Sequence, residues 1–439
     1  MFQYYFVRGL LSLRRSPALT ALMILTLAVG VAASISTLTI LHMMSADPLP
    51  HKSDRMFVPV IDTGPLKGYA PGEPIGITQS QTSYRDIGNF LNSKIGVRRT
   101  AMYGVAGPVE PQRKDIGVFR VQGLAPTRDF FAMFETPFLY GQPWSEADDA
   151  SGADIIVLTR RLAEKLYGAG NPVGQRMTLM GQQFQVGGVL DRWDPVPRVH
   201  HLIGSKGAFG AEDDFFIPLS SAIRHQASQD GGVSCASEHS PGFQGVLDSE
   251  CTWLQFWFEM AGSGERGDLQ NYLDNYAAEQ RKLGRMQRNA PNQLFNVNEW
   301  MRLQNVVDND NRLAAWLAFG FLLLCLVNTI GLLLAKFSTR AAEVGIRRAL
   351  GASKPEIFRQ FLVETTVIGL AGGLLGLLLA YAALALISLQ SEDLGVVAHM
   401  DGQMLLLTFG VSVLAALLAG LLPTWRACQV TPAMQLKSQ

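Results

Sequence analysis

Several catalytic signatures are missing from these 439 residues, and each absence removes a class of function. There is no G-x-x-x-x-G-K-[ST], hence no phosphate-cradling loop, and ATP hydrolysis is not expected of the chain itself. Neither a G-x-S-x-G elbow nor an H-E-x-x-H pair occurs, so serine-hydrolase and zincin chemistry have no carrier. Carboxylates and lysines are missing from the middle of every long apolar run, which argues against a proton-coupled carrier. Net charge is missing too: 37 Lys and Arg balance 37 Asp and Glu, and no basic field favours nucleic acid. Cysteine is scarce, at four. The catalytic list is empty.

Apolar sequence is what the chain has in quantity. Hydrophobic residues make up 48 % and charged residues 17 %, too apolar for an ordinary soluble protein and too charged for one buried wholly in lipid. Four uncharged runs are long enough to span a bilayer: Leu19 to Leu41 and Leu313 to Ala335 with 23 residues each, Thr365 to Leu389 with 25, and Met404 to Leu422 with 19. At about 1.5 Å per residue the first two cover about 34 Å, against a hydrocarbon core of about 30 Å. The expected fold is an α-helical membrane protein with four transmembrane helices, at 18–44, 313–335, 359–389 and 404–422. A large α+β domain, 45–312, is inserted between the first two.

Basic residues set the orientation. Three (Arg8, Arg14, Arg15) precede the first span, six lie in the 336–360 link and two follow residue 422, while the 390–403 loop has none. Both termini and the 336–358 link are therefore expected in the cytoplasm, and the inserted domain and the 390–403 loop outside. A cleaved signal peptide is the alternative for the first span, but its uncharged stretch is too long for an h-region. Within 1–17, Phe2, Tyr5, Phe6, Leu10 and Leu13 share one helical face, the pattern of an interfacial amphipathic helix. Ser16 and Pro17 then read as N-cap and first-turn residue of the span. The 423–439 tail is expected inside.

The most organised stretch is Ser338-Thr-Arg-Ala-Ala-Glu-Val-Gly-Ile-Arg-Arg-Ala-Leu-Gly-Ala-Ser353, between the second and third apolar runs. Arg340, Glu343, Arg347 and Arg348 supply a polar face, with Glu343 and Arg347 one turn apart, and Val344, Ala349 and Leu350 offer apolar surface to bury. Gly351 stops this helix, and Ser353 with Glu356 reads as a capping box from which a second helix runs straight into the third span. A basic loop holding anionic lipid is the simpler alternative.

Together with Phe361-Leu-Val-Glu364, this stretch closely resembles the segment after the second span in permeases of the MacB/LolC/FtsX type. Gly141 to Leu190 resembles the periplasmic core domain of MacB-type permeases: G-x-P-W-S-x-x-D, a strand at Ile155 to Leu158, a helix through Arg161 to Tyr167, Asn171-Pro-Val-Gly174, then strands at Arg176 to Leu179 and Phe184 to Val189 joined across Gly181. Phe215 to Ser220, Pro423-x-x-Arg426-Ala and Pro432-x-x-x-Leu436 also resemble the family.

The resemblance implies a bacterial inner-membrane permease subunit that couples ATP hydrolysis elsewhere to movement of a periplasmic domain, exporting a peptide, antibiotic or similar amphiphile. Arg340, Glu343, Gly345, Arg347, Arg348, Gly351 and Ser353 would meet the ATPase. The chain would carry no cofactor, ATP and magnesium residing on that cytoplasmic ABC ATPase. A second permease chain completes a homo- or heterodimer, and the family leaves room for a periplasmic adaptor and an outer-membrane channel. Lipoprotein release or control of cell-wall hydrolases is the alternative within the architecture. A membrane-anchored sensor or a periplasmic metalloenzyme is the alternative outside it.

Further expectations concern particular residues. Cys235 and Cys251 lie in the exterior region, where oxidation is expected and the two should pair, stapling a Ser-, Gly- and His-rich inserted loop, whereas Cys325 and Cys428 should stay free. His200, His201, His225 and His239 fall nearby and Cys235-x-x-x-His239 has a tolerable ligand spacing, but no second ligand pair shows a recognised one and no metal is expected; Glu212-Asp-Asp214 reads as a solvated acidic loop. Gly369, Gly372, Gly373 and Gly376 in the third span form small-xxx-small pairs for close helix packing, within the subunit in preference to across a dimer. Leu269, Tyr272, Leu273, Tyr276, Ala277 and Leu283 mark an amphipathic helix, and a polar helix from Glu299 is expected to lead directly into the second span.

Overall fold

The computed structural model describes residues 16–66, 69–70, 80–204, 206–307 and 309–390, with single residues at 410, 414, 417, 420, 421 and 425. The chain divides into two compact units, Ala46–Val306 on one hand and Met1–Ser45 with Val307–Gln439 on the other.

Among the described residues the second unit holds three helices long and apolar enough to cross a membrane, Pro17–Met44, Asn309–Ser338 and Lys354–Gln390, of 28, 30 and 37 residues. Each is apolar around its circumference, as a helix facing lipid or other helices must be. Pro17 occupies the first turn as expected. Ser16 does not cap it: its backbone sits at φ −137°, ψ 70°, off the extended geometry from which a hydroxyl reaches the N2 or N3 amide. The expected fourth span lies largely outside the described residues, of which Gly410, Leu414, Leu417, Gly420 and Leu421 are helical. The interfacial helix at 1–15, the 390–403 loop beyond Gln390 and the tail, apart from Trp425, also lie outside them.

The Ala46–Val306 unit is built on an 11-stranded mixed sheet. In chain order the strands are β1 (Met56–Val60), β2 (Thr82–Ser83), β3 (Arg98–Glu110), β4 (Phe119–Pro126), β5 (Phe138–Gly141), β6 (Ile155–Leu158), β7 (Arg176–Leu179), β8 (Gln182–Leu190), β9 (Phe215–Phe216), β10 (Thr252–Glu259) and β11 (Gln293–Asn296). Their spatial order is β11-β1-β10-β3-β4-β9-β6-β8-β5, with β2 on β10 and β7 bridging β3 and β8. Side chains alternate between two buried clusters, one on each face. On β10, Leu254, Phe256 and Phe258 join one cluster and Trp257 the other; on β6, Ile156 and Leu158 oppose Val157 in the same way.

The middle of the domain follows its sequence pattern. β6 lies parallel to β8, with the Arg160–Tyr167 helix in the crossover between them. The β7–β8 hairpin turns at Met180 and Gly181, both at positive φ (53° and 74°), where glycine is at ease and Met is not. Asn171 Oδ1 accepts from the Val173 amide at 3.0 Å to shape the preceding turn. The helix Arg266–Lys282 buries Leu269, Leu273, Tyr276 and Ala277, with Tyr272 packed beside them. Leu283 lies past its end and is 72 % exposed, so it is not part of that face.

The polar helix near Glu299 spans Val297–Leu303, with Asn296 and Glu299 forming a reciprocal capping box. It does not run into the next helix. A turn at Gln304 and Asn305, the latter at φ 50°, ends it before Asn309–Ser338 begins.

Candidate functional site

The segment between the second and third long helices folds as a short helix, Ala341–Ala349, held between two stops. Its C-terminal stop is a Schellman motif: the Ala352 amide donates to the Arg347 carbonyl at 3.0 Å and the Gly351 amide to Arg348 at 3.2 Å. Gly351 sits at φ 97°, which a Cβ would oppose. The Ser353 amide then donates to Glu356 Oε2 at 3.0 Å, and the next helix begins at Lys354 and continues unbroken to Gln390.

The polar side chains do not form the outward docking face that their spacing suggests. Arg340 turns inward and places Nη1 at 3.2 Å from Glu364 Oε2, with only 15 % of its side chain exposed. Glu364 Oε1 accepts from Lys336 Nζ at 2.6 Å, and these two side chains are 0 % and 1 % exposed. Lys336 also donates to Thr20 Oγ1 at 3.3 Å, so one buried ion cluster joins all three long helices and the start of the short one. Arg347 pairs with Glu343 and donates to Gln360 Oε1 at 3.1 Å. Around this polar knot Val344, Ile357, Phe361, Leu333 and Phe337 pack with Met23 and Leu27, the rings of Phe337 and Phe361 lying 4.3 Å apart.

The apolar residues correct the sequence reading from the other side. Val344 is buried, as is Gly345, but Ala349 and Leu350 are not: Leu350 is 83 % exposed and Ile346 62 %. Ile346, Ala349 and Leu350 fall at i, i+3, i+4, one face of the short helix. Arg348 is half-buried.

Close packing of the long helices uses glycine where the sequence placed it. A Cβ on Gly376 would come within 2.7 Å of Val31 Cγ1, and one on Gly372 within 2.9 Å of Leu27 Cβ, both on the Pro17–Met44 helix. Gly369 and Gly373 are buried in the same helix. The close approach at Gly372 and Gly376 is thus made inside the chain. Gly30, unremarked in the sequence, meets Cys325 Cβ at 2.8 Å in the same manner.

In the Ala46–Val306 unit Cys235 and Cys251 form a disulfide, S–S 2.03 Å, and Cys325 in the other unit is free. His239 lies beside this pair but is exposed, and its Nδ1 bonds the Ser240 carbonyl at 2.7 Å. His225 is spent on Asp154 at 2.7 Å. The acidic run at 212–214 is not a solvated loop. Asp213 is 1 % exposed, with Oδ2 at 2.7 Å from His201 Nε2 and Oδ1 at 2.9 Å from Lys206 Nζ. Burial alone would raise its pKa; the His201 and Lys206 charges outweigh that and hold it well below the carboxylate range. Asp214 is tied to Arg161 at 2.8 Å. His200, wholly buried next to this pair, is pushed down to about 3 by burial and by His201.

Comparison with known proteins bears on both units. A family model described as the MacB-like periplasmic core domain matches residues 20–244, and one described as the FtsX-like permease C-terminal matches 315–432. The chain belongs to the MacB/FtsX-type ABC permeases. Among curated relatives it is 26 % identical over 318 residues to a pyoverdine export ATP-binding/permease protein of Pseudomonas entomophila, covering 71 % of this chain and 42 % of that one. It is 23 % identical over 325 residues to a macrolide export ATP-binding/permease protein of Bdellovibrio bacteriovorus, covering 72 % and 44 %. This permease chain therefore spans under half the length of those relatives. The periplasmic region of MacB from Actinobacillus actinomycetemcomitans matches 60 % of it at a TM-score of 0.37 and 10 % identity, covering 96 % of that structure. The permease is a membrane protein with a MacB-like periplasmic domain.

Proposed function

We propose that this permease is the membrane subunit of an ABC-type exporter in the bacterial inner membrane, with both termini cytoplasmic, whose 341–353 segment receives the stroke of an ATPase. The observation that carries the proposal is the division of labour on the short helix. Its polar groups lock it to the base of the spanning helices, while Ile346, Ala349 and Leu350 stay uncovered. An uncovered apolar face on a helix fixed at its root suits a partner that pushes on it. The partner is an ABC ATPase carrying ATP and magnesium, and a second permease chain completes the pair of strokes. The cargo belongs to the amphiphile class, in keeping with relatives named for pyoverdine and macrolide export. A periplasmic adaptor and an outer-membrane channel would carry it onward.

The test is Ile346→Asp with Leu350→Asp in the full chain, followed by affinity purification from native membranes and mass spectrometry. The wild type should bring an ABC ATPase with it, and the variant should lose that ATPase at unchanged abundance and insertion. An ATPase retained by the variant, or none with the wild type, overturns the docking role.

A further inference from the structure

His200 is fully buried, its Nδ1 has no hydrogen-bond partner, and its Nε2 has only a long approach of 3.5 Å to Asp213 Oδ2. A buried imidazole in that condition forfeits bonds it had in water, and an ion is one of the few things that restores them. Its surroundings hold it in place. The ring stacks on Trp193 at 5.1 Å between centroids and meets Phe130 and Phe134 edge-on at 5.7 and 5.6 Å. His201 follows it on the short 3-10 turn Val199–His201, with ring centroids 4.5 Å apart. Both rings converge on a single carboxylate oxygen: Asp213 Oδ2 lies 3.5 Å from His200 Nε2 and 2.7 Å from His201 Nε2.

We propose that His200, His201 and Asp213 bind one divalent transition-metal ion, of which zinc fits best, as a structural or regulatory site in the exterior domain. Their three ligand atoms all lie within 4.8 Å of one another. Bonds of about 2.0–2.1 Å in a tetrahedron put ligand atoms about 3.3 Å apart, so the His200 contact is already close to that spacing and the His201 contact needs to open by about 0.6 Å. Entry of the metal displaces the proton shared between His201 Nε2 and Asp213 Oδ2, which is released to solvent. Asp213 Oδ1 keeps Lys206, whose ammonium is also held by the Glu212 carbonyl at 3.1 Å. That is the outer-shell partner a monodentate carboxylate ligand ordinarily has. A water completes the fourth position.

This site is separate from Cys235, His239 and Cys251, whose sulfurs are joined. It also reverses the expectation of no metal, which rested on spacing along the chain. Adjacent histidines and an aspartate from the next loop have no sequence signature, and only the fold brings them together.

The full-length permease, purified in detergent, stripped with chelator and dialysed, should take up one equivalent of zinc per chain by elemental analysis and calorimetry. Cobalt in its place should give the visible bands of a tetrahedral nitrogen and oxygen site, without sulfur charge transfer. His200→Phe, which keeps an aromatic ring in the box, and Asp213→Asn should each abolish uptake. Lys206→Met should weaken it by roughly 10- to 100-fold. Should His200→Phe or Asp213→Asn fail to fold, judged by loss of the Cys235–Cys251 disulfide, the cobalt spectrum and Lys206→Met still decide. No stoichiometric uptake by the wild type, uptake unchanged in folded His200→Phe, or a sulfur-ligand cobalt spectrum each overturns the site.

Discussion

Glu364 neutralises two cations at once, the buried Lys336 and the partly buried Arg340, and replacing it with Gln isolates what that is worth. Oε1 meets Lys336 at 2.6 Å and Oε2 meets Arg340 at 3.2 Å, and the Lys336 and Glu364 side chains are almost wholly inaccessible. Gln fills the same volume and can still accept from one cation. Its amide N–H would face the other, which then loses its contact with a carboxylate oxygen of residue 364. Removing one partner of a buried pair typically costs about 3–5 kcal/mol, and the second cation places Glu364→Gln toward the upper end. Taking the Lys336 charge away as well should recover part of this, because the most deeply buried cation is then gone and only the less buried Arg340 has lost Glu364. The assay is a double-mutant cycle of Glu364→Gln, Lys336→Met and their combination, read as membrane abundance and as thermal unfolding in detergent. The expected result is a strongly destabilised Glu364→Gln, a milder Lys336→Met because Glu364 keeps Arg340, and a double variant above Glu364→Gln. If Glu364→Gln melts with the wild type, or the double variant is merely the sum of the singles, the cluster is not the anchor of the short helix.

Two further outcomes follow from the same structure. Cys235→Ser with Cys251→Ser opens a loop whose ends are 16 residues apart, so unfolding in non-reducing buffer should lose about 3 kcal/mol on a chain-entropy estimate; peptide mapping of unreduced, alkylated wild type should show the two linked and Cys325 and Cys428 free, and alkylation of all four would refute it. For topology, single cysteines at Ser237 and Ser338, both exposed, should separate in a background without native cysteines: an impermeant maleimide should reach position 237 in intact spheroplasts and position 338 only after lysis. Labelling of position 338 from outside would place the short helix away from cytoplasmic ATP and remove its proposed role.

The parts legible in the sequence were those specified by near neighbours. Three uncharged runs became three helices, and Gly351 and Ser353 marked the stop and restart because both signals act within a turn of where they stand. The β6–helix–β7–β8 run was readable for the same reason. What escaped depends on partners far along the chain. In the sequence Lys336 is one of the basic residues of the link and Glu364 ends a motif that resembles the family's, and nothing local says that they meet. Asp213 read as one of three solvated acids, although Lys206 and His201 on the preceding loop enclose it. β10, Thr252–Glu259, is buried along its whole length in the middle of the sheet, and its mostly apolar sequence, with Gln255 inside it, shows no alternation for periodicity to detect.

The reversal on the short helix carries the most functional content. Charge spacing suggested basic residues reaching outward and apolar ones tucked in, and the fold does the opposite at Arg340 and Leu350. A helix retained only by its apolar side would roll when pushed, because such contacts have no preferred direction. One retained through a two-pronged carboxylate and an Arg347–Gln360 bond has fixed bearings, so a load applied at Ile346 and Leu350 passes to the bases of the long helices instead of being lost in rotation. The ion cluster is therefore the feature that would make the short helix a lever, and the uncovered apolar face is where the load would be applied.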